Sequence, residues 1–261
     1  MTKRVDGPAD GDGRNQQPRP RIMAVIPALD EARAIGQVVD ALIKQTCVRL
    51  TRVIVVDNGS SDGTAEIARQ AGASVVREDR RGYGYACRAG VTAAHDADII
   101  VLLDGDAADD PHDLPGLLAP LLGGAADLVV GSRALGAPDA GALTRPQVLG
   151  NRLAAWLMRV IYGARVTDLG PLRAIRRRDL LALEMQEMTY GWSVEMMVKA
   201  FRAGYRYHEV PVRYHRRIGA SKVSGTIHGS LRAGRCILAT TLRYAQWTPR
   251  LRVVPAPGRA R

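Results

Sequence analysis

Ile99-Ile100-Val101-Leu102-Leu103-Asp104-Gly105-Asp106 is an apolar run that passes directly into two carboxylates separated by one glycine. A short run with no polar alternation reads as a strand buried on both faces. Two similar runs precede it. Ile22-Met23-Ala24-Val25-Ile26 leads into Pro27-Ala28-Leu29-Asp30-Glu31, and Val53-Ile54-Val55-Val56 leads into Asp57-Asn58-Gly59-Ser60-Ser61-Asp62-Gly63-Thr64. Ser74-Val75-Val76 and Leu128-Val129-Val130 read as further strands. Between them lie helical stretches. Ile35, Val38, Val39, Leu42 and Ile43 recur at helical spacing, and Thr64 to Ala71, Gly84 to Ala94 and Leu114 to Leu122 follow. Strands alternating with helices predict an α/β fold with a mostly parallel sheet covered on both faces.

After Gly131 the rhythm changes. Leu149 to Tyr162 and Trp192 to Ala203 read as helices, Leu172 to Arg176 and Tyr207 to Val212 as strands, and about Thr226 to Trp247 as a last helix. Residues 1–20 and 249–261 are rich in Gly, Pro and Arg and read as loose tails.

The chain has 261 residues, enough for one large domain with appendages. Its net charge of +11 implies anionic company, whether nucleic acid, anionic lipid or phosphorylated substrate. Cys47, Cys87 and Cys236 are far apart and lack metal-ligand spacing, so a disulfide framework or zinc site is not expected and a reducing, cytoplasmic setting is. The N-terminal stretch has no apolar core of a secretory signal, and no stretch is long and apolar enough to span a bilayer, so any membrane contact is expected to be peripheral. A nucleic-acid-binding domain would leave the strand-end acids unexplained, and the bases are not interleaved with the aromatics that single-strand binders use. No nucleic-acid partner is expected.

In open α/β sheets, ligands bind beyond the carboxyl ends of the strands. Acids gathered there repel one another unless a cation or a donor-rich ligand sits among them. Asp104 and Asp106 can point at one hard cation, Mg²⁺ or Mn²⁺, which commonly bridges carboxylates to substrate phosphates; a solvated acidic turn would have the same spelling. Asp57 at its strand end can accept a hydrogen bond from a base or ribose, while Asp62 can cap the helix behind it. Arg81-Gly82-Tyr83-Gly84-Tyr85 has the form either of a phosphate-cradling turn or of a plain strand-to-helix turn.

Taken in order, these segments resemble family 2 glycosyltransferases with the GT-A fold. Val130-Gly131-Ser132-Arg133, the block Thr167-Asp168-Leu169-Gly170-Pro171-Leu172-Arg173-Ala174-Ile175-Arg176, and Val210-Pro211-Val212 with Arg217-Ile218-Gly219-Ala220-Ser221-Lys222 are similar to the dolichyl-phosphate mannose or glucose synthase branch. The resemblance implies a nucleotide-sugar half (21–132), an acceptor half (133–224) and a C-terminal amphipathic helix (225–248). It implies that Pro27, Asp30 or Glu31, and Asp57 hold the nucleotide of a UDP- or GDP-sugar, with Gly82 beside them. Asp104 and Asp106 would hold the metal and diphosphate, and Arg133, Arg217, Ser221 and Lys222 would face the acceptor phosphate or the diphosphate. The chain departs from that branch in carrying Asp30-Glu31 for Asn-Glu, Ala108 for a Gln, and Gly82-Tyr83-Gly84 for Gly-Lys-Gly, which leaves Asp109 or Asp110 as stand-ins at the metal.

The resemblance further implies an inverting single displacement. A hydroxyl acceptor needs a general base, and the acceptor half offers only Glu195 and Glu209 between Tyr190 and Arg217, with Glu195 one helical turn from Lys199. A phosphomonoester is already ionised at neutral pH and needs cations instead, a role for Arg133, Arg216, Arg217 and Lys222. A polyprenyl phosphate acceptor follows, with a small soluble acceptor as the alternative. In the last predicted helix Ile227, Leu231, Leu238, Leu242 and Ala245 share one face and Arg232, Arg235 and Arg243 another, as in a helix lying on a bilayer or packing on its own domain.

Overall fold

The computed structural model describes residues 19–219, 235 and 238–249. Strands β1 (Ile22–Ala28), β2 (Arg52–Asp57), β3 (Ser74–Arg77), β4 (Ile99–Leu102), β5 (Leu128–Pro138), β6 (Arg173–Arg176) and β7 (Tyr207–Tyr214) form one seven-stranded sheet in the order β3-β2-β1-β4-β6-β5-β7. β3, β2, β1 and β4 run parallel, β6 runs antiparallel to both β4 and β5, and β5 pairs parallel with β7. The expected mostly parallel α/β sheet is therefore present, with one strand reversed.

Helices α1 (Ile35–Lys44), α2 (Thr64–Gln70), α3 (Tyr83–Ala93), α4 (Leu114–Leu122), α5 (Arg145–Tyr162), α6 (Arg177–Ala182) and α7 (Trp192–Arg202) cover the sheet. Alternation along the strands divides the core into two layers. Met23, Val25, Ile100 and Leu102 pack with α3 and α7, while Ala24, Ile26, Val101 and Leu103 pack with α1 and α4. Valine, leucine, isoleucine and alanine fill the second layer, while the first also takes up Met158, Met196, Met197, Trp192, Tyr205 and Tyr244.

Three boundaries differ from the sequence expectation. β5 continues past Val130 to Pro138, through an irregularity between Ser132 and Ala137 in its pairing with β7. α5 begins at Arg145 rather than Leu149, because Thr144 and Gln147 make reciprocal capping contacts and Pro146 occupies the first turn. α6 was not legible as a helix: it is a six-residue turn whose apolar spacing is too short to show a period. The predicted tails, apart from residues 19, 20 and 249, and half of the predicted terminal helix lie outside the described residues; within them, residues 235 and 238–243 are helical.

α3 approaches β1 and β2 closely at Gly90, where an added Cβ would overlap Val25 Cγ1 and crowd Val56 Cγ2 at 3.0 Å. Gly90→Val should lower stability by about 1–3 kcal/mol, since overpacking a dense core forces backbone shifts. Thermal unfolding of the purified chain checks this; an unchanged melting temperature would refute the close packing.

Candidate functional site

β1 is paired on both sides by parallel strands, β2 and β4, so the chain reverses direction of travel across the sheet at their carboxyl ends. A crevice opens at such a switch point. Ala28 pairs with Asp57 in register, and Gly105 lies against β1, its Cβ direction meeting Ala28 Cβ at 3.7 Å and Ile26 Cγ2 at 3.4 Å. Asp30, Asp57, Asp104 and Asp106 thus share one edge, as the sequence predicted.

The loops after β1 and β2 are laced together. Asp30, at a left-handed φ of 51°, accepts from Ser61 N at 2.8 Å through Oδ1, and its own N–H donates to Ser60 Oγ at 3.0 Å. Glu31 N donates to Thr64 Oγ1 at 2.8 Å, and Ala32 N to Asp62 Oδ2 at 3.0 Å. Asp57 is buried and accepts from Ser60 N at 2.9 Å. The N-cap of α2 is Gly63, not Asp62; Asp62, one residue earlier, accepts from Thr64 N in the turn that enters the helix and ties that turn to the β1 loop.

The Gly82-Tyr83-Gly84 turn has a packing explanation. Cβ atoms at Gly82 and Gly84 would collide with the backbone of Met188 and Glu187, and Gly84 N donates to Met188 O at 3.1 Å. Gly82 N is held by Asn58 Oδ1 at 2.8 Å. The two glycines therefore let the Glu187–Met188 segment lie directly on the turn. Tyr83, between them, reaches the acids: its Oη is 3.3 Å from Asp104 Oδ1. Nothing in the sequence spacing marked Tyr83, because its reach depends on how α3 is docked.

Asp104 is pushed up to about 6 by burial and by the neighbouring Asp106. Asp109 is also raised well above the ordinary carboxylate range, by burial and then by Asp104 and Asp106. Its Oδ2 receives only a long hydrogen bond, 3.4 Å from Asp104 N, and its buried Oδ1 has no partner. Asp110, the other expected stand-in, is engaged elsewhere, by His112 and by Arg213 at 3.0 Å.

Positive charge arrives from β7. Arg217 Nη2 sits 2.6 Å from Asp106 Oδ2, Ile218 N donates to Asp106 O at 2.9 Å, and His215 N donates to Ala108 O at 2.8 Å. The basic segment after Tyr214 is thereby docked on the Asp104-Gly105-Asp106 turn and passes over the β1 loop, where Gly219 faces Glu31 Oε2 at 3.9 Å from its Cβ position. Burial opposes the Arg217 charge, but Asp106, Tyr214 and Asp104 outweigh it and hold the guanidinium above its ordinary value.

Arg133 is placed differently from expectation. Its guanidinium makes a bidentate fork on buried Asp168, with Nε and Nη2 each 2.7 Å from a carboxylate oxygen, and it stacks over the Tyr214 ring at 4.9 Å. The charge that was expected to face a phosphate is matched inside the protein, and the residue supports Tyr214 and, through it, Arg217. Asp168 is further fixed by Asn151 Nδ2 at 2.7 Å, and Glu209 accepts from Thr167 N at 2.9 Å, Asp168 N at 3.2 Å and Tyr207 Oη at 2.7 Å. Asp168 and Asn151 are the structural partners that the sequence reading left without a role. Ser221 and Lys222 lie outside the described residues.

Glu195 is fully buried and pairs with Lys199 at 2.7 Å, the helical pairing open to it from sequence. Its carboxylate also accepts from Gln186 N and Glu187 N, holding the segment that packs on Gly82 and Gly84. It is a support for the site, away from solvent.

The chemistry of this donor set suits a divalent cation. Asp104 and Asp106 lie side by side with a nearby orphaned carboxyl oxygen, and the charge balance already demands a cation, which Arg217 supplies. Among the described residues no three His, Cys, Asp or Glu side chains form a ready-made metal cluster. A cation there would take its remaining ligands from phosphate oxygens and water, as Mg²⁺ and Mn²⁺ commonly do.

A mainly parallel seven-stranded sheet flanked by helices, with an aspartate pair at its switch point, matches the GT-A fold of solved glycosyltransferases. The chain belongs to glycosyl transferase family 2, whose profile matches residues 23–182. It is 40% identical over 213 residues to an uncharacterized glycosyltransferase of Mycobacterium tuberculosis, covering 80% of this chain and 93% of the relative. It is 34% identical over 224 residues to the dolichyl-phosphate hexose transferase of Haloferax volcanii, covering 85% and 94%. Its fold matches glucosyl-3-phosphoglycerate synthase of Mycobacterium tuberculosis, crystallised with Mn²⁺, UDP and phosphoglyceric acid, at a TM-score of 0.71 and 26% identity, covering 88% of this chain and 80% of that one.

Two measurements test this account. Because the Asp104 pKa is raised in the fold, its contribution is favourable below about pH 4 and is lost as pH rises through about 6. Asp104→Asn should therefore raise the melting temperature of the ligand-free protein at pH 7 and flatten its dependence between pH 4 and 7; a lower melting temperature at pH 7 would contradict the charge account. Glu195→Gln leaves Lys199 buried without its counter-charge and should cost about 3–5 kcal/mol in chemical denaturation, whereas a surface-exposed pair would cost under about 1 kcal/mol.

Proposed function

We propose that this glycosyltransferase moves a hexose from a nucleoside-diphosphate sugar to a polyprenyl phosphate. The observation that carries the reading is the state of three carboxylates in the acceptor half. Asp168 is locked to Arg133 and Asn151, Glu209 to Thr167, Asp168 N and Tyr207, and Glu195 to Lys199. None of these three stands ready to take a proton from a hydroxyl. An acceptor phosphate is already ionised and needs only a cation and correct placement. The similarity to a dolichyl-phosphate hexose transferase over nearly its whole length supports the same acceptor class.

Roles follow from position. The loops bearing Pro27, Asp30, Glu31 and Asp57 line the nucleotide side of the crevice, with Gly82 at its back. Asp104 and Asp106 would hold Mg²⁺ or Mn²⁺, which supplies neutralisation of the leaving diphosphate. Tyr83 orients Asp104. Arg217, at the mouth, offers its guanidinium to a phosphate, and Arg133 positions it through Tyr214. In the reaction an acceptor phosphate oxygen attacks the anomeric carbon, the bond from that carbon to the diphosphate breaks, and the configuration inverts. Ser221 and Lys222 extend the same basic segment. The setting expected is the cytoplasmic face of a membrane, reached peripherally.

A soluble phosphorylated acceptor is the second reading, favoured by the fold match to a synthase crystallised with phosphoglyceric acid. Transfer assays with UDP- and GDP-sugars, with and without Mn²⁺ or Mg²⁺, separate the two. Sugar should appear on polyprenyl phosphate and not on 3-phosphoglycerate; the opposite result would replace the first reading with the second. Asp106→Asn should abolish transfer. Arg217→Ala should lower kcat/KM for the lipid phosphate about 10- to 100-fold, the loss of one charge-assisted hydrogen bond, while nucleotide affinity changes far less. Equal loss in both would assign Arg217 to the donor.

A further inference from the structure

α5 carries the largest outward-facing apolar array among the described residues. Leu149, Leu153, Trp156 and Val160 are 71%, 47%, 57% and 62% exposed, and their spacing of four, three and four residues places them on one side of the helix. Its opposite side is seated on the protein by buried Ala154 and Met158. An array of this kind on an otherwise soluble surface marks an interaction site.

The charge beside it is one-sided. Arg145, Arg152 and Arg159 are exposed and recur every seven residues, forming a basic line next to the apolar stripe. The helix has no Asp or Glu in its 18 residues. An exposed tryptophan among aliphatic residues, with arginines along one border, is the make-up of a helix that lies in the headgroup region of an anionic bilayer. Among the described residues no helix is long and apolar enough to cross a membrane, so such a contact would lie on the surface.

The helix is also joined to the site. Asn151, on its inner side, donates to Asp168 Oδ1 at 2.7 Å and accepts from Leu169 N at 2.9 Å, and Asp168 holds Arg133. The same helix therefore presents its outer side to the surroundings and its inner side to the loop that supports Arg217.

We infer that α5 is a membrane-docking helix, whose Leu149-Leu153-Trp156-Val160 side enters an anionic lipid surface while Arg145, Arg152 and Arg159 pair with lipid phosphates. Docking in this way would place the acceptor side of the crevice at the headgroup level. The inference deepens the polyprenyl-phosphate reading and rests on it only for its purpose, because the surface can be tested without the acceptor. It puts the membrane contact on α5, where the sequence had offered a terminal helix that either lies on a bilayer or packs on its own domain.

The test is co-sedimentation of the full chain with phosphatidylglycerol–phosphatidylcholine vesicles that contain no polyprenyl phosphate. The chain should bind, with weaker binding to phosphatidylcholine alone and at high salt. Leu153→Glu with Val160→Glu should lower the partition coefficient tenfold or more, as should Arg152→Glu with Arg159→Glu, with melting temperatures unchanged because these side chains face outward. Should the double glutamate variant fail to fold, Trp156→Gln alone should still weaken binding, and vesicles should blue-shift the fluorescence of the wild type more than that of Trp156→Phe. Unchanged vesicle binding in all these variants would overturn the inference. So would sedimentation velocity showing a stable dimer that Leu153→Glu dissociates, which would make this side an interface between copies. Loss of vesicle binding without loss of transfer to detergent-dispersed polyprenyl phosphate would support the docking role, whereas vesicle binding with no such transfer would leave the docking helix standing and reject the acceptor.

Discussion

Carboxylates crowded at the carboxyl ends of β1, β2 and β4 must be given positive charge, and that need organises the molecule. Burial raises the proton affinity of Asp104 and of Asp109; Asp106 raises that of Asp104 further, and both Asp104 and Asp106 raise that of Asp109. Arg217 meets the need in the ligand-free chain by pairing with Asp106. The pair also pins the segment after β7 onto a turn more than a hundred residues earlier in sequence. A metal-bound diphosphate at the aspartate pair would alter the same balance.

The chain after Ser132 is a support for that pairing. Asp168 holds Arg133, Arg133 lies over Tyr214, and Tyr214 leads into Arg217. Glu209 and Asn151 hold the loop bearing Asp168, and the buried Glu195–Lys199 pair holds the segment behind Gly82 and Gly84. Buried charges in this part of the chain are matched within the protein and have fixed partners, as low dielectric requires.

The outer side of α5 fits the same picture from a different direction. Its inner side braces the Asp168 loop through Asn151, and its outer side exposes apolar residues beside arginines. One helix then links the lipid-facing surface to the residues that position Arg217. The positive charge of the chain is in this view divided between a phosphate at the crevice and phosphates at a surface.

The sequence alone determined the alternation of apolar strands with helices, the parallel core of the sheet, and the gathering of Asp30, Asp57, Asp104 and Asp106 at one edge. These are readable because burial on both faces demands unbroken apolar runs, and because strands in parallel register bring their carboxyl ends together. The Glu195–Lys199 pairing was readable for the same local reason, one helical turn. Tertiary structure alone decided the rest. An apolar run such as Ala174-Ile175 reads the same in either direction, so β6 could be reversed without a trace in the pattern. Gly82 and Gly84 spell a phosphate turn as well as a packing turn, and only the position of Met188 decides that packing accounts for them. Arg133 and Arg217 are equally basic in sequence; one is locked to Asp168 and the other reaches Asp106, because a side chain's charge is directed by what the fold brings within hydrogen-bonding distance, and that separation in space has no counterpart in separation along the chain.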